Sequence, residues 1–259
     1  MSDGGMYTAM SGGMATSRQL DVTSNNLANI NTTGYKKDKT IFKEQLADID
    51  FEKTTEIQAE GVEMPPRVLS IDKRNVLIDE NFTQFNQGML EKTGNMLDIA
   101  INGDGFFKVK TPDGIRYTRD GTFNRSKDGL LVTSEGYTVL DENESEIDLG
   151  NSKNININSD GSIYLDKEKN TKLSIVSFKD LSQLEKIGKN LFEQKNTQEQ
   201  EIESKSEIHQ GFLESSNVSP VEEMVTLISL HRQFELNTKA IESFSEMDKK
   251  ASTDLGRNG

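Results

Sequence analysis

The sequence runs to 259 residues, 33% hydrophobic and 28% charged, with a formal net charge of −13 and no cysteine. That length is enough to bury a core as one large or two small domains, and the modest apolar share leaves room for segments that do not fold alone. The acidic balance excludes the Lys and Arg clusters of a nucleic-acid surface, and the absence of thiols excludes disulfide frameworks, thiolate catalysis and Cys-based metal sites.

The chain opens MSDGGMYTAMSGG, with no basic stretch followed by an apolar run, so no cleaved secretory signal is expected. No later segment reaches the ~18 apolar residues of a membrane-spanning helix. From Met6 to Ile30 the spacing predicts a thin-striped helix: Met6, Gly13, Leu20 and Leu27 recur every seven positions, with Ala9, Thr16, Thr23 and Ile30 offset by three. Gly12 and Gly13 each cost such a helix about 1 kcal/mol relative to Ala, so it is marginal in water, but small residues such as Ala9, Gly13, Ala15 and Ser17 would let a neighbouring helix come close. The run NTTG at 31–34 ends it. Residues 1–35 are therefore read as an N-terminal assembly helix.

Residues 36–75 mix Lys, Asp, Glu and the Pro65-Pro66 pair, and are read as an extended connector. Residues 76–212 are read as a β-rich domain of antiparallel hairpins. Five Asp-Gly pairs, at 104–105, 113–114, 120–121, 128–129 and 160–161, mark turns because Gly accepts a positive φ. Between them lie short strand-like runs, among them Phe106 to Lys110, Ser162 to Leu165 and Leu173 to Phe178. The run QKNTQEQEIESKSE at 194–207 is expected to be a solvated loop.

Residues 213–259 form the best-specified element. Ser219-Pro220-Val221-Glu222 combines an N-cap, a proline at the first helical position and a Glu at the third. Leu227, Leu230, Phe234, Asn237, Ile241 and Phe244 then alternate spacings of three and four, the seam of a coiled coil. Met224 and Ile228 widen the stripe, which suggests contact with more than one neighbouring helix. The fold class expected is a mainly β middle domain flanked by N- and C-terminal α-helices that pair as a coiled-coil-like assembly domain.

Reactive chemistry has little to stand on. His209 and His231 are too few for a metal or proton-relay site, and Met6, Met10 and Met14 read as packing groups. Asn156-x-Asn158-x-Asp160-Gly161 imitates the opening of a calcium loop, but its twelfth position is Lys167 where a bidentate Glu is required. The many carboxylates read as solvated surface, since acid–base catalysis needs two of them in distinct environments within a cleft. No nucleophile elbow, phosphate loop or HExxH is present. No enzyme, cofactor, metal or small-molecule substrate is expected.

Six segments together resemble the flagellar rod and hook protein family: SNNLANINTTGYKK (24–37), LDIAINGDGFFKV (97–109), YTRDGTF (117–123), LLVTSEGY (130–137), GFLESSNVSPVEEM (211–224) and RQFELNTKAI (232–241). They span nearly the whole chain in the family's order. The length points to a rod subunit, and the compact middle favours the proximal-rod type over the distal-rod type. The resemblance implies a bacterial basal-body subunit that leaves the cytoplasm through the flagellar type III export apparatus without signal cleavage. Such a subunit polymerises with copies of itself and meets adjacent rod proteins and hook-side subunits. The helical tube it forms lines the export channel in the cell envelope and transmits torque from motor to hook. The assembly residues expected are Met6, Met10, Leu20 and Leu27 on the first helix, and Leu227, Leu230, Phe234, Ile241 and Phe244 on the second. The rival readings are a distal-rod or hook-type paralogue, a secreted β-rich binding protein such as an adhesin and, more distantly, a glycoside hydrolase built on two carboxylates.

Overall fold

The computed structural model describes residues 2–46, 74–195, 201–204 and 206–257. Helix α1 covers Ser2–Ala28 and helix α2 covers Pro220–Arg257. Between them the strands are β1 Asp38–Leu46, β2 Arg74–Thr83, β3 Leu90–Lys92, β4 Ile99–Asn102, β5 Phe106–Thr111, β6 Gly114–Thr118, β7 Phe123–Arg125, β8 Leu131–Thr133 and β9 Thr138–Val139. There follow β10 Ile155–Ile157, β11 Ser162–Leu165, β12 Glu168–Lys172, β13 Ile175–Ser177, β14 Leu184–Gly188, β15 Leu191–Gln194, β16 Ile202–Glu203, β17 Glu207–Gln210 and β18 Phe212–Glu214. The protein is thus mainly antiparallel β with one helix at each end, as the turn punctuation and the proline-started C-terminal stripe predict. The C-terminal helix begins at the expected Pro220, with the Glu223 amide donating to the Ser219 carbonyl.

Two units make up the chain. One comprises Met1–Val22, Thr40–Asn81 and Val225–Gly259; the other comprises Thr23–Lys39 and Phe82–Met224. The second holds the β body. Its main sheet runs β14-β15-β6-β5-β9-β8-β7, with β13 also pairing β5 and β16 pairing β13. A three-stranded sheet β10-β11-β12 and the two-stranded pairs β17-β4 and β18-β3 complete it.

Three of the five Asp-Gly pairs close hairpins between paired strands: Asp113-Gly114 (β5 to β6), Asp128-Gly129 (β7 to β8) and Asp160-Gly161 (β10 to β11). Asp104-Gly105 and Asp120-Gly121 instead join strands that are not sheet neighbours, since β4 pairs β17 and β6 lies at a distance from β7. Two tight turns lack glycine at their central positions. Asp166-Lys167 and Lys189-Asn190 both take positive φ at both central positions, the backbone of a type I′ turn.

Strand β5 divides the interior by its alternation. Phe107 and Val109 join the larger apolar cluster with Ile99, Phe123, Leu131 and Ile163, and Phe107 meets Phe123 edge-on at 5.1 Å. Phe106 points to the other face, among Tyr117, Phe178 and Phe192. Lys108 shares that second face and is buried, so its ammonium requires acidic partners. It donates to Glu144 and Glu201, both at 2.8 Å, and Tyr117 donates to Glu201 at 2.5 Å. The stretch expected as a solvated loop therefore carries a fastening at Glu201 and a short strand at Ile202–Glu203, paired with β13. The cause is the buried Lys108, which periodicity alone does not reveal.

Candidate functional site

The N- and C-terminal arms meet in the second unit, where the turn after α1 packs on the segment leading into α2. Asn26, on the last turn of α1, is buried and pairs with the Asp38 backbone in both directions: its amide donates to the carbonyl at 2.8 Å and its oxygen accepts from the amide at 3.0 Å. Tyr35 lies beneath, its hydroxyl 2.9 and 3.1 Å from the side-chain oxygens of Asn25 and Asn26. Lys186 covers the Tyr35 ring at 3.6 Å, donating also to the Lys36 carbonyl at 2.8 Å and to Asp38 at 3.0 Å. Gly34 holds φ +66° and donates to the Glu214 carbonyl at 2.8 Å; a Cβ there would collide with the Asp120 backbone amide. Burial pushes the Asp120 carboxyl above its ordinary range, against the Thr33 hydroxyl, which donates to it at 2.7 Å.

Below this turn lies a buried triad of charges. One Glu214 oxygen accepts from Lys36 at 2.5 Å and from the Gly88 amide at 2.8 Å, and the other accepts from Arg119 at 3.3 Å. All three side chains are 4% exposed or less. Lys36 also donates to the Asn86 carbonyl at 2.9 Å and Arg119 to the Gly103 carbonyl at 2.8 Å. Burial drives the Lys36 ammonium and the Arg119 guanidinium below their ordinary pKa ranges, and Glu214 opposes the shift in both. Such a triad contributes little net stability over apolar packing, but losing its central carboxylate leaves two cations buried and unpaired. Nearby, Lys37 forms an ion pair with the buried Glu223 at the head of α2, and its backbone amide donates to Asn217 at 2.7 Å. Asn217 returns two hydrogen bonds, to the Gln84 and Asn86 carbonyls at 2.8 and 3.0 Å. This clasp ties residues 26–38 to residues 214–223.

The expected assembly residues fall on both sides of the helices. On α1, Met6, Leu20 and Leu27 are partly buried and Met10 is exposed, with Tyr7 and Met14 exposed beside it. The α1 positions that are buried instead are small or polar: Ala9, Gly13, Thr16, Thr23 and Asn26. On α2, Leu230 is buried, Leu227, Ile241 and Phe244 are partly buried, and Phe234 is 37% exposed. Within the first unit α1 and α2 meet at small residues. A Cβ added to Gly5 would lie 2.7 Å from the Phe244 ring, one added to Gly12 would lie 3.6 Å from the Asn237 amide, and Asn237 reaches the Thr16 hydroxyl at 3.4 Å. Met224 and Ile228, the residues that widen the stripe, are exposed, as are Leu236 and Met247.

The comparisons with known proteins decide the family. Residues 6–36 match the family described as flagella basal body rod protein, residues 100–165 the flagellar hook protein FlgE/F/G D1 domain, and residues 209–254 the flagellar basal body rod FlgEFG protein C-terminal region. A Caulobacter vibrioides flagellar basal-body rod protein FlgF is 33% identical over 258 residues, covering 98% of this chain and 99% of its own. The FlgG rod proteins of Buchnera aphidicola from Acyrthosiphon pisum (35% identical, 90% of this chain and 92% of theirs) and of Bacillus subtilis (32%, 93% and 95%) are similar along the same span.

The chain belongs to the flagellar basal-body rod family. It is a structural rod subunit of the basal body and not an enzyme. The rod-family matches at 6–36 and 209–254 contain the C-terminal arm of the clasp and all of the N-terminal arm but Lys37 and Asp38, so the buried Asn26, Lys36, Glu214 and Glu223 and the partly buried Asn217 lie inside them. Arg119 lies inside the D1 match. Only the short quoted motifs pointed to these residues; a buried charge leaves no periodicity, and Lys36 and Glu214 are 178 positions apart.

Proposed function

We propose that the two terminal helices pair antiparallel as a coiled-coil-like assembly domain, and that many copies stack through the outer faces of this pair into a helical tube. The observation that carries the reading is the division of apolar groups on the helices. The inner contacts are made by Gly5, Gly12, Thr16, Asn237 and Phe244, while Met10, Met14, Ile228, Leu236 and Met247 stay exposed in the single chain. Exposed apolar side chains recurring along two long helices are what a neighbouring subunit would cover, and a head-to-tail contact that does not close on itself builds a filament. In this reading Met6, Leu20, Leu27, Leu227, Leu230, Ile241 and Phe244 stabilise the pair, and Met10 and Phe234 reach the neighbour.

The tube would consist of copies of the chain, with other rod proteins and hook-side subunits at its ends. It would line the export channel in the periplasmic part of the envelope and carry torque from motor to hook, and the subunit would reach this place through the flagellar type III export apparatus with its N-terminus uncleaved. The compact middle supports a proximal position, which gold labelling of isolated basal bodies tests: label between the inner-membrane ring and the distal rod is expected, and label confined to the hook side overturns it. For assembly itself, Phe234→Asp with Ile241→Asp is expected to abolish rod formation in isolated basal bodies and swimming on soft agar. Normal rods and motility from that chain would mean that subunits stack through a surface other than the α2 seam.

A further inference from the structure

We infer that Asn237, acting through Thr16 and the opening left by Gly12, is the residue that fixes the register of α1 against α2. The inference rests on the proposed pairing of the two helices and adds which of their possible alignments is adopted. Asn237 occupies a seam position whose neighbours at the heptad spacing, Leu230 and Phe244, are apolar. A lone amide in an otherwise apolar seam costs stability in every alignment that leaves it unpartnered, and so selects the one that satisfies it.

The local geometry supplies that partner. The Thr16 hydroxyl donates to the Gly12 carbonyl at 2.8 Å, which spends its one proton and leaves its lone pairs for the Asn237 amide at 3.4 Å. Gly12 lies directly against this amide: a Cβ there would stand in ordinary contact with the Asn237 side-chain nitrogen, oxygen and carbon, at 3.6 to 3.9 Å, and a longer side chain would run into them. Gly5, seven residues earlier, is tighter: a Cβ there would lie 2.7 Å from the ring of Phe244, seven residues after Asn237. The glycines of α1 therefore face α2, with Gly5 leaving room for the Phe244 ring and Gly12 and Gly13 lying against Asn237.

Sliding α2 by one heptad breaks this arrangement in either direction. One way, Asn237 faces Gly5 and finds Ala9 where Thr16 stood, so the amide loses its hydroxyl. The other way it keeps a hydroxyl, Thr23 where Thr16 stood, but faces Gln19 where Gly12 stood, and that longer side chain crowds the amide. Leucine at 237 removes the first penalty, because a branched apolar group against Gly5 and Ala9 asks for no hydrogen bond.

The chain contains no cysteine, so engineered pairs report alignment without background. A Cβ on Gly13 lies 3.9 Å from the Asn237 Cβ, within the range a disulfide spans. In the full-length protein, Gly13→Cys with Asn237→Cys is expected to close under mild oxidation, read as a gel-mobility shift. Gly13→Cys with Leu230→Cys, which reports the slipped alignment, is expected to stay open while Asn237 is present and to close about 10-fold more in an Asn237→Leu background. Thr16→Val, which keeps the shape and removes the hydroxyl, should also raise the slipped pair. If the slipped pair closes equally with Asn or Leu at 237, the apolar seam sets the register and the inference is overturned. If Gly13→Cys with Asn237→Cys does not close at all, the helix pairing itself is wrong.

Discussion

The β body and the terminal helices spend their apolar residues in opposite ways. In the body, Ile99, Phe107, Leu131 and Ile163 are sealed inside, and β5 buries apolar residues on both of its faces. On the helices, Tyr7, Met14 and Leu236 are each more than half exposed, and contacts between the helices set glycines and a threonine against an asparagine and the Phe244 ring. The body is therefore able to hold its fold alone, whereas isolated helices gain most of their stability from what packs on them. The clasp lies at the boundary of these two behaviours and uses charge where the body uses hydrocarbon.

The sharpest way to break this comparison is at the centre of the clasp. Glu214→Ala should destabilise the second unit by about 3–5 kcal/mol, read by urea unfolding, because it strands Lys36 and Arg119 without a counter-charge. A loss under about 1 kcal/mol would mean that water reaches the triad. In the body, Leu131→Ala should cost about 2–5 kcal/mol by the same measurement, through lost burial and the cavity left behind. Next comes Tyr35→Phe, which keeps the ring under Lys186 and removes the hydroxyl that meets Asn25 and Asn26; about 1 kcal/mol is expected.

Leu236→Asp should change the unfolding of the single chain by no more than about 0.5 kcal/mol, as a surface substitution does, while rod assembly in cells is lost. Comparable losses in both measurements would show that Leu236 is already covered within one subunit. The smallest effect expected is one of sign. Burial lowers the Lys36 pKa, so the unfolded chain binds that proton more tightly, and this contribution to stability grows as pH rises toward the ordinary lysine range. Lys108 runs the other way: hydrogen bonds and ion pairs with Glu144 and Glu201 raise its pKa despite burial, so its contribution is lost as pH climbs through the raised value. Proton release followed by nitrogen NMR of the two lysines, Lys36 before Lys108, checks both.

What the sequence disclosed follows from range. The start of α2 at Pro220 and three of the hairpins are written in adjacent residues, as a cap with its proline or as Asp-Gly between apolar runs. The turns at Asp166-Lys167 and Lys189-Asn190 carry no glycine at their central positions, and neither offers the Asp-Gly pair that marks the other hairpins. The first residues of the stretch read as a connector, Lys36 to Asp38, are fixed by Glu214, Asn217 and Asn26, partners remote in sequence that no local pattern connects. On α1 the seven-residue spacing named Gly13, Ala9, Thr16 and Thr23 beside Met6, Leu20 and Leu27; these small residues are the buried ones, because close approach rewards small volume over hydrophobicity.

The clasp also sets an order of events as the chain is made. Glu214 is needed to neutralise Lys36 and Arg119, yet it is synthesised long after both, and closing so long a loop is among the slower steps available to a folding polypeptide. A nascent chain that has not yet reached residue 214 must keep those two cations in water. Completion of the second unit, and with it the anchoring of both helices at their bases, is thereby deferred until almost the whole chain exists.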